Sequence, residues 1–173
     1  MSDTHTKPPL SAVELLASKH DLTEFDCGKH LSLTRWLKRL ARMNQASGHT
    51  RTYVVHRELT VVGYYSLAPG NISRKEATVR ASKSAPEPIP IVLLARLAVD
   101  KREQRQGLGP ALLKDALQRA YAGAEIIGGR AILVHAIDAE AAMFYRKYGF
   151  ESCPGLDLHL MLLMKDVRAS LRL

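Results

Sequence analysis

Apolar positions divide this chain into alternating elements. Between Leu31 and Ala46 they fall at Leu33, Trp36, Leu37, Leu40 and Met43, the spacing of one buried helical stripe. Gly48 ends that helix. Arg51 to His56 and Val61 to Leu67 read as strands, with a hairpin turn over Arg57 to Thr60. Asn71 to Pro88 is basic and proline-bearing, and reads as a loop or short helix on the surface. Ile89 to Val99 is apolar almost throughout, which suits a strand buried on both faces. A helix over Pro110 to Ile127 stops at Gly128-Gly129. Ala131 to Ala136 is the next buried strand, and Ala139 to Tyr148 a helix closed by Gly149 in a left-handed cap. Leu158 to Met164 reads as the last strand, before a short C-terminal helix. An antiparallel start followed by β-loop-α-β-α-β predicts an α/β protein.

At 173 residues the chain suits one domain with a substantial core. Met1 to Pro9 is polar and lacks an apolar stretch, so it reads as a disordered tail and not a signal peptide, leaving 10–173 as the folded domain. No apolar run reaches bilayer length, so no membrane partner is expected. Cys27 and Cys153 have no metal-ligand spacing; a reduced, cytoplasmic protein without a metal is the simplest account.

Charge changes the picture through its distribution. The formal net charge is +8. Between residues 29 and 83 eleven basic side chains stand against two acidic ones, Glu58 and Glu76. The rest of the chain is close to neutral. Such a concentrated excess points to a polyanionic partner, or else to a solubilising surface. Arg35, Lys38, Arg39 and Arg42 fall on one outward face of the first predicted helix.

The chemistry concentrates in Gln104-Arg105-Gln106-Gly107-Leu108-Gly109, between a predicted strand and the helix opening at Pro110. Glycines let the backbone approach an anion, and a first helical turn offers unpaired N–H groups at a positive dipole end. Pro110 has no N–H to leave unpaired and has φ preset for that turn. A Walker loop is excluded, because Gly-Leu-Gly-Pro replaces Gly-Lys-Ser/Thr. A Rossmann fingerprint lacks its third glycine. The pattern Q/R-x-x-G-x-G/A fits without mismatch; an ordinary tight βα turn is the alternative.

That six-residue pattern resembles the acetyl-CoA diphosphate loop of the GNAT acetyltransferases. Ala142-Met143-Phe144-Tyr145-Arg146-Lys147-Tyr148-Gly149-Phe150 resembles their closing A-x-x-F-Y-x-x-x-G-F block. Phe25-Asp26-Cys27-Gly28, Trp36-Leu37-Lys38, Gly63-Tyr64-Tyr65-Ser66-Leu67-Ala68, Arg96-Leu97-Ala98-Val99-Asp100 and Val134-His135-Ala136 narrow the likeness to GNAT toxins of bacterial type II toxin–antitoxin pairs, the TacT/AtaT type. The resemblance implies a single-domain GNAT fold, with a mixed sheet, antiparallel N-terminal strands and a splayed parallel pair, flanked by helices. It implies acetyl transfer from acetyl-CoA to the α-amino group of aminoacyl-tRNA, which blocks translation. It also implies a ribbon-helix-helix antitoxin and a homodimer. The backbone of Leu97, Ala98 and Val99 would pair with the pantetheine arm, and the N–H groups of Gln104, Arg105, Gln106, Gly107, Leu108 and Gly109, ahead of Pro110, would hold the diphosphate. Tyr145, next to Phe144, would point its hydroxyl at the coenzyme sulfur. Arg35, Lys38, Arg39, Arg42, Arg80 and Arg96 are the candidate RNA contacts.

The residues carry one argument of their own about the acceptor. Leu93 to Val99 holds no carboxylate to serve as a base. A lysine amine, with a pKa of about 10.4, is mostly charged at neutral pH, whereas an α-amine titrates near ~7.7–8.0 and an ester neighbour lowers it further. The missing base and the basic segment thus point to the same acceptor, an aminoacyl ester on RNA. Tyr145 is then the general acid toward the thiolate, with a backbone N–H near Val99 as oxyanion donor. His135 and His56 are rival acid–base candidates. Acetylation of a small amine or a protein N-terminus is a same-fold alternative. A non-enzymatic nucleic-acid-binding module that keeps the loop is the alternative of another class.

Overall fold

The computed structural model describes residues 6–171. Its strands are β1 (Glu14–Leu15), β2 (Arg51–Arg57), β3 (Thr60–Ile72), β4 (Ile89–Val99), β5 (Ala131–His135), β6 (Glu151–Cys153) and β7 (Leu156–Leu163). Its helices are α1 (Leu31–Arg39), α2 (Ala41–Ala46), α3 (Val79–Ser82), α4 (Leu108–Ile127), α5 (Ala139–Lys147) and α6 (Met164–Leu171), with a 3-10 turn at Lys101–Glu103. The strands form one mixed sheet in the order β1-β2-β3-β4-β5-β7-β6. The chain divides into two compact units. The first holds the described residues up to Ser66 together with Arg96–Leu113, and the second holds Leu67–Ala95 and the described residues from Lys114 on. β3, β4 and α4 contribute residues to both.

The first unit is built on aromatic packing. Phe25 meets Tyr64 edge-on at 5.6 Å, and Tyr64 stacks on Trp36 at 6.1 Å with the rings 13° from parallel. Leu16, Leu22, Leu37, Val54 and Ala98 close the same core. The Tyr64 hydroxyl donates to the Leu33 carbonyl at 2.7 Å, which satisfies its buried polar end. Gly63 on β3 lets α4 lie close: a Cβ there would sit 3.0 Å from both Leu112 and Val55.

Two expectations are corrected in this unit. The single helix from Leu31 to Ala46 is two helices, broken at Leu40, whose φ of −120° lies outside the helical well. Polar anchors turn the second piece. The Gln45 carboxamide donates to the Leu16 carbonyl and accepts from Thr52 N–H, and Arg42 donates to the His20 carbonyl. Arg42 therefore leaves the face that Arg35, Lys38 and Arg39 share on α1. The helix expected from Pro110 begins instead at Leu108, inside the glycine loop. The hairpin falls where the pattern put it, with Glu58 and Leu59 both left-handed (φ 46° and 71°) and Leu59 N–H donating to His56 Nδ1. Of the expected tail, Met1 to His5 lie outside the described residues. Lys7 reaches Glu103, and the Pro8 carbonyl accepts from Arg57.

The second unit carries the parallel pair. β4 and β5 run from Ile91↔Ala131 to Leu94↔Val134, and β4 continues past that register to Val99. β5 and β7 are antiparallel from Ala131↔Leu163 to His135↔His159. α5 and α6 pack on β7, and Asp138 caps α5 by accepting from Ala141 N–H at 2.8 Å. Ile89, Ile91, Leu133, Met161 and Leu163 form the core. β1 and β6 escape the sequence pattern because two or three residues are too few to show a period of two. Among the described residues, no helix is long and apolar enough to cross a membrane.

Candidate active site

The glycine loop of the first unit is held in shape by a polar network. Asp100 is fully buried: it accepts from the Arg102 backbone and guanidinium and from Asp26 N–H. Those donors hold its carboxyl below the usual range against the cost of burial. Glu103 takes both arms of Arg57, at 2.9 and 3.1 Å, and lies below its ordinary pKa for that reason. Gln104 turns its carboxamide back to donate to the Cys27 and Val99 carbonyls, both at 2.9 Å. Its side chain is a brace, so only its backbone is left to face a ligand.

Past this brace the backbone turns sharply. Arg105 and Gly107 have φ of 61° and 84°. At Gly107 that conformation favours glycine and brings the chain into the first turn of α4. Ala111 N–H closes that turn on the Gly107 carbonyl. The N–H groups of Leu108 and Gly109 precede it, so they lack intrahelical partners, and Pro110 has none to leave unpaired. The arrangement suits an anion at a helix N-terminus. No carboxylate of the loop is free to act as a base, because Asp100 and Glu103 both hold guanidinium groups.

The candidate RNA contacts separate into distinct environments. Arg35, Lys38 and Arg39 are exposed on α1. Arg42 is exposed too, but caps backbone carbonyls. Arg96 lies over Trp36, 4.2 Å from the ring centroid. In the second unit Arg80 bridges Glu151 and Asp166 at 2.8 and 3.0 Å, which leaves it little charge for another partner.

Sequence reasoning missed a cluster of Glu14, His20 and His56, whose ligand-type atoms lie within 4.8 Å of one another. No short spacing announces it. His20 Nδ1 accepts from Ala17 N–H and His56 Nδ1 from Leu59 N–H, so both rings carry their proton on Nε2. Each Nε2–H donates to Glu14 Oε1 at 2.7 Å. A metal would need those Nε2 lone pairs, and the backbone donors forbid the tautomer that supplies them. The cluster is a clamp that ties β1 to the β2–β3 hairpin, and it occupies both ring nitrogens of His56. The two imidazoles pull the Glu14 carboxyl down to about 2. A folded pKa below the unfolded one stabilises above the unfolded value, near ~4.3, and that contribution is lost as pH falls toward the folded value. Amide exchange at Leu16, which donates to the Thr52 carbonyl, is expected to quicken at neutral pH in Glu14→Gln. Equal exchange in the two proteins would exclude the clamp.

In the second unit Tyr145 is buried on α5, edge-on to Phe144 at 5.2 Å and to Phe150 at 5.4 Å. Burial pushes its pKa well above the ordinary phenol value, so it keeps its proton at neutral pH. His135 stacks on His159 with centroids 4.0 Å apart, and burial together with that neighbour lowers its pKa. It is a poor store of positive charge.

These features define an acyltransferase of known type. Residues 48–152 match the family described as "Acetyltransferase (GNAT) domain", and the chain belongs to the GNAT acetyltransferase family. It is 45% identical, over 92% of its length and 95% of the relative's, to the "tRNA-acetylating toxin" of Mycobacterium tuberculosis (strain ATCC 25618 / H37Rv). Among solved structures it resembles AtaT complexed with acetyl-methionyl-tRNAfMet, at TM-score 0.85 and 27% identity, covering 94% of this chain and 99% of that one. It also resembles a tyrosine-to-phenylalanine mutant of the AtaT toxin bound to the C-terminus of the antitoxin AtaR and acetyl-CoA, at TM-score 0.79 and 25% identity, covering 95% and 99%.

Proposed function

We propose that this chain transfers acetyl from acetyl-CoA to the α-amino group of an aminoacyl-tRNA, as the toxin of a toxin–antitoxin pair. The observation that carries the reading is its likeness, along nearly the whole chain, to a tRNA-acetylating toxin. The left-handed turn at Gly107 and the protonated, buried Tyr145 support it. The folded domain spans 10–173, with Lys7 and Pro8 tied onto it through Glu103 and Arg57, and the work is done in the cytoplasm, where charged tRNA is found. The neutralising partner is a ribbon-helix-helix antitoxin, and the toxin acts as a homodimer.

The backbone of Leu97, Ala98 and Val99 pairs with the pantetheine arm like an added strand. The N–H groups from Gln104 to Gly109 seat the diphosphate, and Phe144 flanks the thioester end. The neutral amine attacks the thioester carbonyl, and a backbone N–H near Val99 stabilises the oxyanion. A carbon–nitrogen bond forms and the carbon–sulfur bond breaks. Tyr145 donates a hydrogen bond to sulfur as its charge develops. Its high pKa makes lasting phenolate unfavourable, so the sulfur gains a proton as the new ammonium gives one up. No carboxylate base is required, because an esterified α-amine is already partly neutral.

The deciding experiment mixes the chain with radiolabelled acetyl-CoA and total charged tRNA. Label is expected on the amino group of aminoacyl-tRNA and absent from deacylated tRNA. Label on a polyamine or a protein N-terminus alone would overturn the reading. Lys38→Glu and Arg39→Glu are each expected to weaken tRNA binding and to reduce the slope of log affinity against log salt by about one. An unchanged slope would place the RNA on another surface.

A further inference from the structure

We propose that Arg96, held over the Trp36 ring, grips the phosphodiester beside the terminal adenosine of the acceptor RNA, and so selects an RNA-borne amino-acid ester over the same ester without a phosphate. The proposal rests on the reading of the acceptor as aminoacyl-tRNA.

The platform comes first. The Arg96 guanidinium carbon stands 4.2 Å from the Trp36 ring centroid. Trp36 is buried and stacks on Tyr64, whose hydroxyl is fixed to the Leu33 carbonyl. The ring holds the guanidinium from one side by a cation–π contact, and its N–H groups are not used by a protein acceptor among the described residues. Among the described residues Arg96 has no ion pair and no side-chain hydrogen bond, only the ring contact and a weak field from Tyr64. Burial draws its pKa below the guanidinium's ordinary value, and no carboxylate offsets that. Arg57 and Arg102 of the same unit, by contrast, each hold a carboxylate. A half-buried cation held against a buried ring and without an anion is a preformed receptor for one, and its fork matches two phosphate oxygens.

Position decides which anion. Arg96 directly precedes Leu97–Val99, the backbone proposed for the pantetheine arm. The coenzyme diphosphate has its own seat further on, from Gln104 to Gly109. The anion at Arg96 therefore belongs to the other substrate. Trp36 also shares α1 with the exposed cations Arg35, Lys38 and Arg39, which give an RNA backbone a charged approach to the platform.

The test compares two small acceptors that carry the same aminoacyl ester. One is aminoacyl-adenosine, which has no phosphate; the other is the cytidylyl-(3′→5′)-aminoacyl-adenosine dinucleotide, which has one phosphodiester. The wild-type chain is expected to favour the dinucleotide in kcat/KM. Arg96→Gln is expected to shrink that preference about tenfold or more, as befits a lost charge-assisted bond. Arg96→Lys, which keeps the charge and the aliphatic stem but lacks the fork, is expected to fall between them. Acetyl-CoA affinity by calorimetry is expected to stay the same. An unaltered preference in Arg96→Gln overturns the assignment, and so does a loss of acetyl-CoA affinity that parallels the loss of rate, because the anion is then the coenzyme's. A wild-type chain that acetylates charged tRNA but neither small acceptor overturns this assignment alone, and one that acetylates no charged tRNA overturns the aminoacyl-tRNA reading as well.

Discussion

Tyr145→Phe is expected to fold normally, to bind acetyl-CoA as tightly as the unaltered chain, and to lose acetyl transfer by about 10²- to 10⁴-fold, the range of a general acid. Only the hydroxyl is removed. The ring keeps its edge-on contacts with Phe144 and Phe150, so the packing around α5 is retained. Without the phenol, the departing thiolate leaves with its charge uncompensated. The tRNA KM is expected to change little and kcat to carry the loss, as for an interaction made only in the transition state. The pH profile adds a second check. Because burial holds the Tyr145 pKa well above the ordinary phenol value, the rate is not expected to fall at pH 9 through loss of this proton. Any rise between about pH 7 and 8 belongs to the α-amine of the acceptor. Tyr145→Phe with wild-type kcat would remove this residue from the chemistry.

The route from sequence to site was uneven, for physical reasons. β4 was legible to the residue because a strand buried on both faces is a continuous apolar run, Ile89 to Val99. The glycine loop was legible because its conformation demands particular residues: Gly107 does stand left-handed at the head of α4. The break at Leu40 was not legible. The apolar stripe runs straight through it, and two of the anchors that bend it, the Leu16 and His20 carbonyls, lie more than twenty residues away from the side chains they hold. The Glu14–His20–His56 clamp was hidden for the same reason. The counter-charges of Arg80 were hidden too, since Glu151 and Asp166 are more than seventy residues away. Counting basic residues located a charged segment, but only tertiary pairing tells a free cation from a neutralised one.

Glu103→Ala is expected to destabilise the fold by about 3–5 kcal/mol, the cost of breaking a buried ion pair. The Glu103 side chain is 4% exposed and that of Arg57 18%. Among the described residues, removing the carboxylate leaves the guanidinium with the Pro8 carbonyl alone, and Lys7, which also pairs with Glu103, loses its partner too. The pair also fixes the residue immediately before Gln104, so acetyl-CoA affinity is expected to fall along with stability. Arg57→Met combined with Glu103→Leu separates the two effects. It removes both charges at similar volume, so most of the stability is expected to return. Urea midpoints at constant m-value measure the cycle. The pH dependence has a definite sign. Arg57 holds the Glu103 carboxyl below its ordinary value, so the stabilisation is whole above about pH 4.3 and fades as pH falls further. A Glu103→Ala loss under about 1 kcal/mol would mean that the pair behaves as an exposed one, and that the turn before the loop is held by Asp100 and Gln104 alone.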